Sequence, residues 1–431
     1  MQQIPSTIKE AVEKMRSGII SARELTEAFL DRISKTDDQI KAWVLVDAER
    51  ARLEADAADR KVKMQMPLGP LHGIPIGVKD VIDVADWPTA AGSLRWRQSI
   101  AREDAPCVTS LRRAGAVILG KTVTTPFASF DPAPTFNPRY PGRTPGGSSA
   151  GSAASVAAGH CFASLGTQTG GSIIRPASYC GVAGYKPTFG AINKKGVVPL
   201  AQSLDHVGLI ANCVNDLYEV AKCLHSNSPK QKKQKYGNRN ILIDSGLNSC
   251  WVDVESCKKF NEIRSGITQF GVPQLDVNLP GEFYEILENH RVLMAAEAYE
   301  WHSDRWRRFP DDYPACISQL LSEGAAYDCR TVLRAQRYRT ELKIILENWW
   351  PSGGFLMMPA TPSPPPDRTS TGDPRCQSPW SFLGWPTLSI PVHSVSSILP
   401  FSLQLIGLPG SDNMLFELGL RIESALCDNL K

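Results

Sequence analysis

No stretch of this sequence approaches the roughly 18 uncharged apolar residues that a membrane-spanning helix needs. The nearest, 378–409, is interrupted throughout by Pro and Ser. Met1–Pro5 has neither a basic start nor an apolar run, so no secretory signal is read there. Charge of one sign is also scarce. The 47 Lys and Arg stand against 44 Asp and Glu, and a net +3 is too small to expect nucleic acid or a membrane surface as partner. The eleven cysteines are odd in number and contain no Cys-x-x-Cys pair, which argues against a disulfide framework or a zinc site. Free thiols in a reducing cytoplasm are the expectation. No internal repeat and no shift of composition cuts the chain into separate domains, and its 431 residues can bury a full core as one large α/β domain.

What the chain has in excess is small residues in one place. Thirteen of the fourteen residues from Gly146 to Gly159 are Gly, Ala or Ser, so no hydrophobic pattern selects a helix or strand there. Small residues let backbone approach backbone or a ligand closely. Ser148 and Ser172 each follow a Gly-Gly pair. Such a pair frees the chain to adopt positive φ and to aim successive N–H groups at one point, as an oxyanion requires.

Along the chain, Thr7 with Glu10 and Ser21 with Glu24 read as capping boxes that open two amphipathic helices. A third helix is expected from Asp47 to about Lys63, followed by a Pro- and Gly-broken turn. Ile74 to Asp83 is a strand-like apolar run with Lys79 and Asp80 in its middle. A lysine there is either an edge residue facing water or a buried amine with a task. A helix from Ala105 to Arg113 and a buried strand at Ala116–Leu119 follow. Cys180 to Gly196 reads as loop, with a helix at Asn215–His225. Beyond a basic run at 230–239, read as a solvated linker, a strand at Ile241–Ile243 precedes helices around Val254–Thr268, Phe283–Trp306 and Tyr327–Trp350. Strands at Phe355–Met358, Thr387–Val392 and Ser402–Ile406 and a helix from Ser411 to Cys427 close the chain.

Two familiar patterns fail on context. Gly115 to Thr122 matches G-x-x-x-x-G-K-[ST], but a helix precedes it and Ala-Val-Ile-Leu fills what should be a phosphate-binding loop. Gly147-Ser148-Ser149-Ala150-Gly151 matches the G-x-S-x-G elbow, but Pro- and Arg-rich residues stand where its strand should be. A serine nucleophile needs a base and waiting donors. Ser172 has donors beside it in the N–H groups of Thr169, Gly170, Gly171 and its own; its base is left open, since seven histidines exist.

Together, Gly146 to Ala154, Gly166 to Ala177 and Lys79 within Gly73 to Asp80 resemble the amidase signature family. The similarity is dense from about Pro67 to Leu209, and fainter at Met357–Pro362 and from Thr371 to Gly407. The resemblance implies a single α/β domain over 1–431 with a large, mixed, twisted sheet between helices. Its parts would be an N-terminal helical segment packed outside at 1–65, a signature core at 66–225, a variable helical insertion at 226–350 and the rest of the core at 351–431. It implies a Ser-Ser-Lys triad of Ser172 as nucleophile, Ser148 after a cis peptide bond as relay and Lys79 as base, with Thr169, Gly170 and Gly171 as the oxyanion hole. Neutral Lys79 would be favoured by its apolar flanks Ile76, Val78, Val81 and Ile82. Ser149 and Gln168 are read as substrate-binding residues; many family members have Asp where this chain has Gln168.

The implied activity is amide hydrolysis through an acyl-enzyme, with a small carboxamide as substrate and no metal or organic cofactor. A homodimer is compatible with it. A second reading is the glutaminase subunit of a tRNA-dependent amidotransferase, which needs partner subunits; a third is an inactive binding module. Glu297, Glu300, Trp301 and His302, on one expected helix, are further candidates for the pocket wall.

Overall fold

The computed structural model describes residues 4–225, 240–269, 271–393 and 399–428; the basic run at 230–239 lies outside the described residues. The two N-terminal helices, Ile8–Arg16 and Ala22–Ile40, start where the caps predict. Ser21 and Glu24 close a full capping box, whereas the Glu10 carboxylate turns to the Ser6 backbone N–H and hydroxyl instead of completing one with Thr7. The first helix buries Ile8, Val12 and Met15 and is tied by the Ile8 N–H to Asp216 Oδ1 at 2.9 Å.

Among the described residues eleven strands form one sheet: β1 Trp43–Val46, β2 Pro75–Lys79, β3 Val117–Thr122, β4 Ala163–Gln168, β5 Ala183–Lys186, β6 His206–Ala211, β7 Asn240–Ile243, β8 Gln274–Asp276, β9 Gly354–Pro359, β10 Thr387–Val392 and β11 Phe401–Ile406. Their order is β1-β3-β2-β4-β6-β5-β10-β11-β9-β7-β8, and helices flank it. β2 runs parallel to both β3 and β4, β7 parallel to β8 and β9, and the remaining pairs are antiparallel, so the sheet is mixed. Every residue of β2, β3, β4, β5 and β6 is buried, which removes the alternation that marks a strand with one wet face. The residue pattern therefore suggests a loop at β5 and signals no strand at β6. Nor does it signal the helix Ala315–Ala326. Among the described residues no helix is long and apolar enough to cross a membrane, and all eleven cysteines are free thiols.

The phosphate-loop lookalike is strand. Gly115, at φ +95°, turns the helix Pro106–Arg113 into β3, and Gly120 lies inside β3 where a Cβ would stand 2.0 Å from the Leu45 carbonyl oxygen. Lys121 is buried against Asp80 at 3.0 Å and donates to Pro88 O and Thr89 Oγ1. Removing one member of a buried pair strands the other charge. Asp80→Asn is therefore expected to cost roughly 3–5 kcal/mol in urea denaturation, and the double variant Asp80→Asn, Lys121→Met to recover most of it. Equal loss in the single and double variants would show that the pair does not act as a unit.

Candidate active site

Lys79 ends β2 and Gln168 ends β4, so these parallel neighbours deliver both residues to the same edge of the sheet, outside the carboxyl ends of the strands where α/β folds bind ligands. Lys79 is fully buried, as are Ile76, Val78, Val81 and Ile82 around it. Its Nζ lies 2.8 Å from Ser148 Oγ and 2.8 Å from Thr167 Oγ1. Burial lowers its pKa to about 7, while the Asp205 carboxylate pulls the other way. Sequence reasoning misses Thr167 because the strand that carries it has no wet face; the signal available was its hydroxyl, inside the Gly166–Ser172 block. Asp205 is missed too. It accepts the N–H groups of Leu200 and Ala201 and the Thr169 hydroxyl, and burial raises its pKa to about 6.

Ser148 follows a cis peptide bond, as the resemblance implied. The helix Ala150–Ala157 that comes next forms without an apolar stripe because it packs backbone to backbone: a Cβ on Gly151 would come within 2.3 Å of Ala42 O and Val123 N. The Ser149 N–H donates to Ser172 O at 3.3 Å, which joins the two serine segments through the main chain. Arg175, also buried, donates from Nη2 to Gly147 O at 2.7 Å.

The segment 169–172 links β4 to the helix Ile174–Tyr179. Its N–H groups have no acceptor among the described residues, whereas each of its carbonyls has a donor. Thr169 O takes His290 Nε2–H at 3.0 Å and Gly170 O takes the Ser381 hydroxyl at 2.6 Å. Gly171 O takes the Arg175 N–H at 2.9 Å. Gly146 has the positive φ expected of it, but Gly170 and Gly171 do not; Gly171 is short of room instead, since a Cβ there would stand 2.5 Å from Gln377 Oε1. Ser172 is 9% exposed and its hydroxyl makes no bond to another described residue.

Ser149 and Gln168, expected at the substrate, are fully buried with inward partners. Ser149 Oγ donates to Thr167 O, and Gln168 Oε1 accepts Ile173 N–H and Ile174 N–H at 2.8 and 3.0 Å, which leaves neither side chain a free face for a ligand. Of the helix candidates, His302 is held between Tyr313 and Pro199 O, Glu297 binds Ser203, and Glu300 is exposed. Trp301 lines a cavity of about 260 Å³ that also reaches Asp205 and His206.

The family model for amidases matches residues 24–277. The chain belongs to the amidase family. An amidase from Pseudomonas putida is 32% identical over 83% of this chain and 80% of its own length. A glutamyl-tRNA(Gln) amidotransferase subunit from Desulfotalea psychrophila is 30% identical over 99% of this chain and 98% of its own. The solved peptide amidase from Stenotrophomonas maltophilia superposes with a TM-score of 0.84 at 25% identity, covering 98% of this chain and 97% of that one. The large mixed sheet is thus the amidase fold, and the protein is an amide C–N hydrolase. In this amidase neither glycine of the second block's Gly-Gly pair has a positive φ, and neither N–H has an acceptor among the described residues.

Proposed function

We propose that this amidase cleaves a small carboxamide through an acyl-enzyme on Ser172, with Ser148 as proton relay and Lys79 as base, within one amidase domain over 1–431. The observation that carries the reading is the fully buried Lys79 amine, 2.8 Å from Ser148 Oγ with its pKa near 7. A neutral amine keeps one lone pair. With Thr167 Oγ1 accepting one of its N–H groups, that lone pair is available to the Ser148 hydroxyl.

As Ser172 Oγ bonds to the carbonyl carbon, its proton passes to Ser148 while the Ser148 proton passes to Lys79. The carbonyl oxygen gains the electron pair and meets the N–H groups of 169–172. Collapse breaks the C–N bond, the proton returns through Ser148 to the leaving nitrogen, and water repeats the sequence to free the acid. The Ser172–Ser148 contact closes when substrate seats, since such bonds are commonly loose in the unliganded state. No metal or organic cofactor takes part.

The similarity to an amidotransferase subunit keeps the glutaminase reading alive, with ammonia handed to a partner. Purified chain is tested against a panel of simple primary amides and anilides, with Lys79→Ala as the blank, and with a fluorophosphonate that traps active serines. Turnover without partners and a mass adduct on Ser172 are expected. An adduct on another residue sinks the nucleophile assignment; adduct on Ser172 with hydrolysis of glutamine only when partner proteins are added favours the second reading. Absence of both would leave the inactive module.

A further inference from the structure

In a trans peptide the C=O and the following N–H point in opposite directions, so fixing one fixes the other. Gly170 N–H is set by whatever holds Thr169 O, and Gly171 N–H by whatever holds Gly170 O. The first is held by His290, 121 residues away, and the second by Ser381, 211 residues away. A hydroxyl has one proton to give. Ser381 gives it to Gly170 O because its oxygen is already approached by a donor, Gln168 Nε2 at 3.1 Å. Gln168 in turn must present nitrogen to Ser381, since its oxygen is occupied by the Ile173 and Ile174 N–H groups.

We propose that His290 and Ser381 are positioning residues that lock the oxyanion loop with its N–H groups outward, and that the amide at Gln168 sets the direction of the Ser381 hydroxyl. The inference rests on the oxyanion reading of 169–172 given above. His290 suits the task because burial lowers its pKa to about 4, so it donates to Thr169 O as a neutral ring above that pH. A carboxylate at 168 would reverse the chain: its second oxygen would take the Ser381 proton, Gly170 O would lose its donor, and the Gly170–Gly171 peptide would be free to rotate.

The experiment compares wild type with Ser381→Ala, Ser381→Thr, Gln168→Glu and His290→Gln. It follows fluorophosphonate labelling of Ser172 across pH, kcat and KM for the best amide of the panel, and thermal melting. Because the phosphonyl oxygen of the adduct occupies the oxyanion position, Ser381→Ala and Gln168→Glu are expected to lower the labelling plateau and kcat by roughly 10- to 100-fold, with KM and the pH midpoint little changed. Ser381→Thr keeps the hydroxyl and should retain most of the rate, as should His290→Gln, which keeps a neutral donor. Wild-type labelling by Ser381→Ala or Gln168→Glu overturns the inference, as does a loss no larger than the fraction unfolded. Ser172→Ala separates the two levels. If it labels like wild type, the nucleophile reading has failed; if it is silent while the Ser381 and Gln168 variants behave normally, only the present inference has.

Discussion

Ser172→Ala is expected to lower amide hydrolysis by roughly 10⁴- to 10⁶-fold while leaving the melting temperature within a degree or two. Under the proposed mechanism the loss follows from removal of the oxygen that forms the acyl bond, and the N–H groups of 169–172 supply what little rate survives. The fold should not notice. The Ser172 side chain makes no bond to another described residue, and the structural contribution of the position, its carbonyl accepting the Ser149 N–H at 3.3 Å, belongs to the backbone and survives in alanine. Rapid-quench kinetics on the best amide, with intact-mass detection of the acyl adduct, makes the comparison. A variant that retains a tenth of the wild-type rate, or still accumulates adduct, would show that the nucleophile lies elsewhere.

Wild-type kcat/KM is expected to rise about tenfold per pH unit below pH 7 and to level above it, because only the neutral Lys79 amine can accept a proton. The sign follows from the direction of the shift. Burial moves the pKa down from the ordinary lysine value to about 7, so the active form populates above the midpoint and is lost as the solution is acidified. Asp205 opposes this, but burial dominates. Lys79→Arg keeps the charge on a group that cannot release its proton, and Lys79→Met keeps most of the volume with no base; each is expected to lose roughly 10²- to 10⁴-fold across the whole pH range. A profile that stays flat from pH 5 to 9 in wild type, or an arginine variant as active as lysine, would remove Lys79 from the role of base.

Much of this site could be read before any coordinates. Lys79 in an apolar run left two choices, an edge residue facing water or a buried amine, and burial decides for the second; the crowding of Gly, Ala and Ser after Gly146 pointed to close backbone approach, which Gly151 against Ala42 and Val123 makes explicit. The two helices announced by caps, Ile8–Arg16 and Ala22–Ile40, started where expected because capping is decided within four residues. Of the strands in the middle of the sheet, β4, β5 and β6 did not announce themselves, whereas β2 and β10 did, as apolar runs. β5, Ala183–Lys186, is buried on both faces, and a strand without a wet face carries no period-two pattern. The inward bonding of Ser149 and Gln168, read from the sequence as substrate-binding residues, was hidden for a related reason: nothing local to either residue tells whether its polar atoms are taken up from behind.

Three short blocks were thus enough to carry a resemblance that nominated an amine and two hydroxyls, while the run of N–H groups beside Ser172 was legible from the Gly-Gly pair itself. Tertiary structure alone decided what holds them. Thr167 reaches Lys79 because β4 lies parallel beside β2, and His290 and Ser381 reach the loop from 121 and 211 residues away. Such contacts depend on the order in which eleven strands and their helices pack, and that order is set by the burial of the whole sheet, which no short segment encodes.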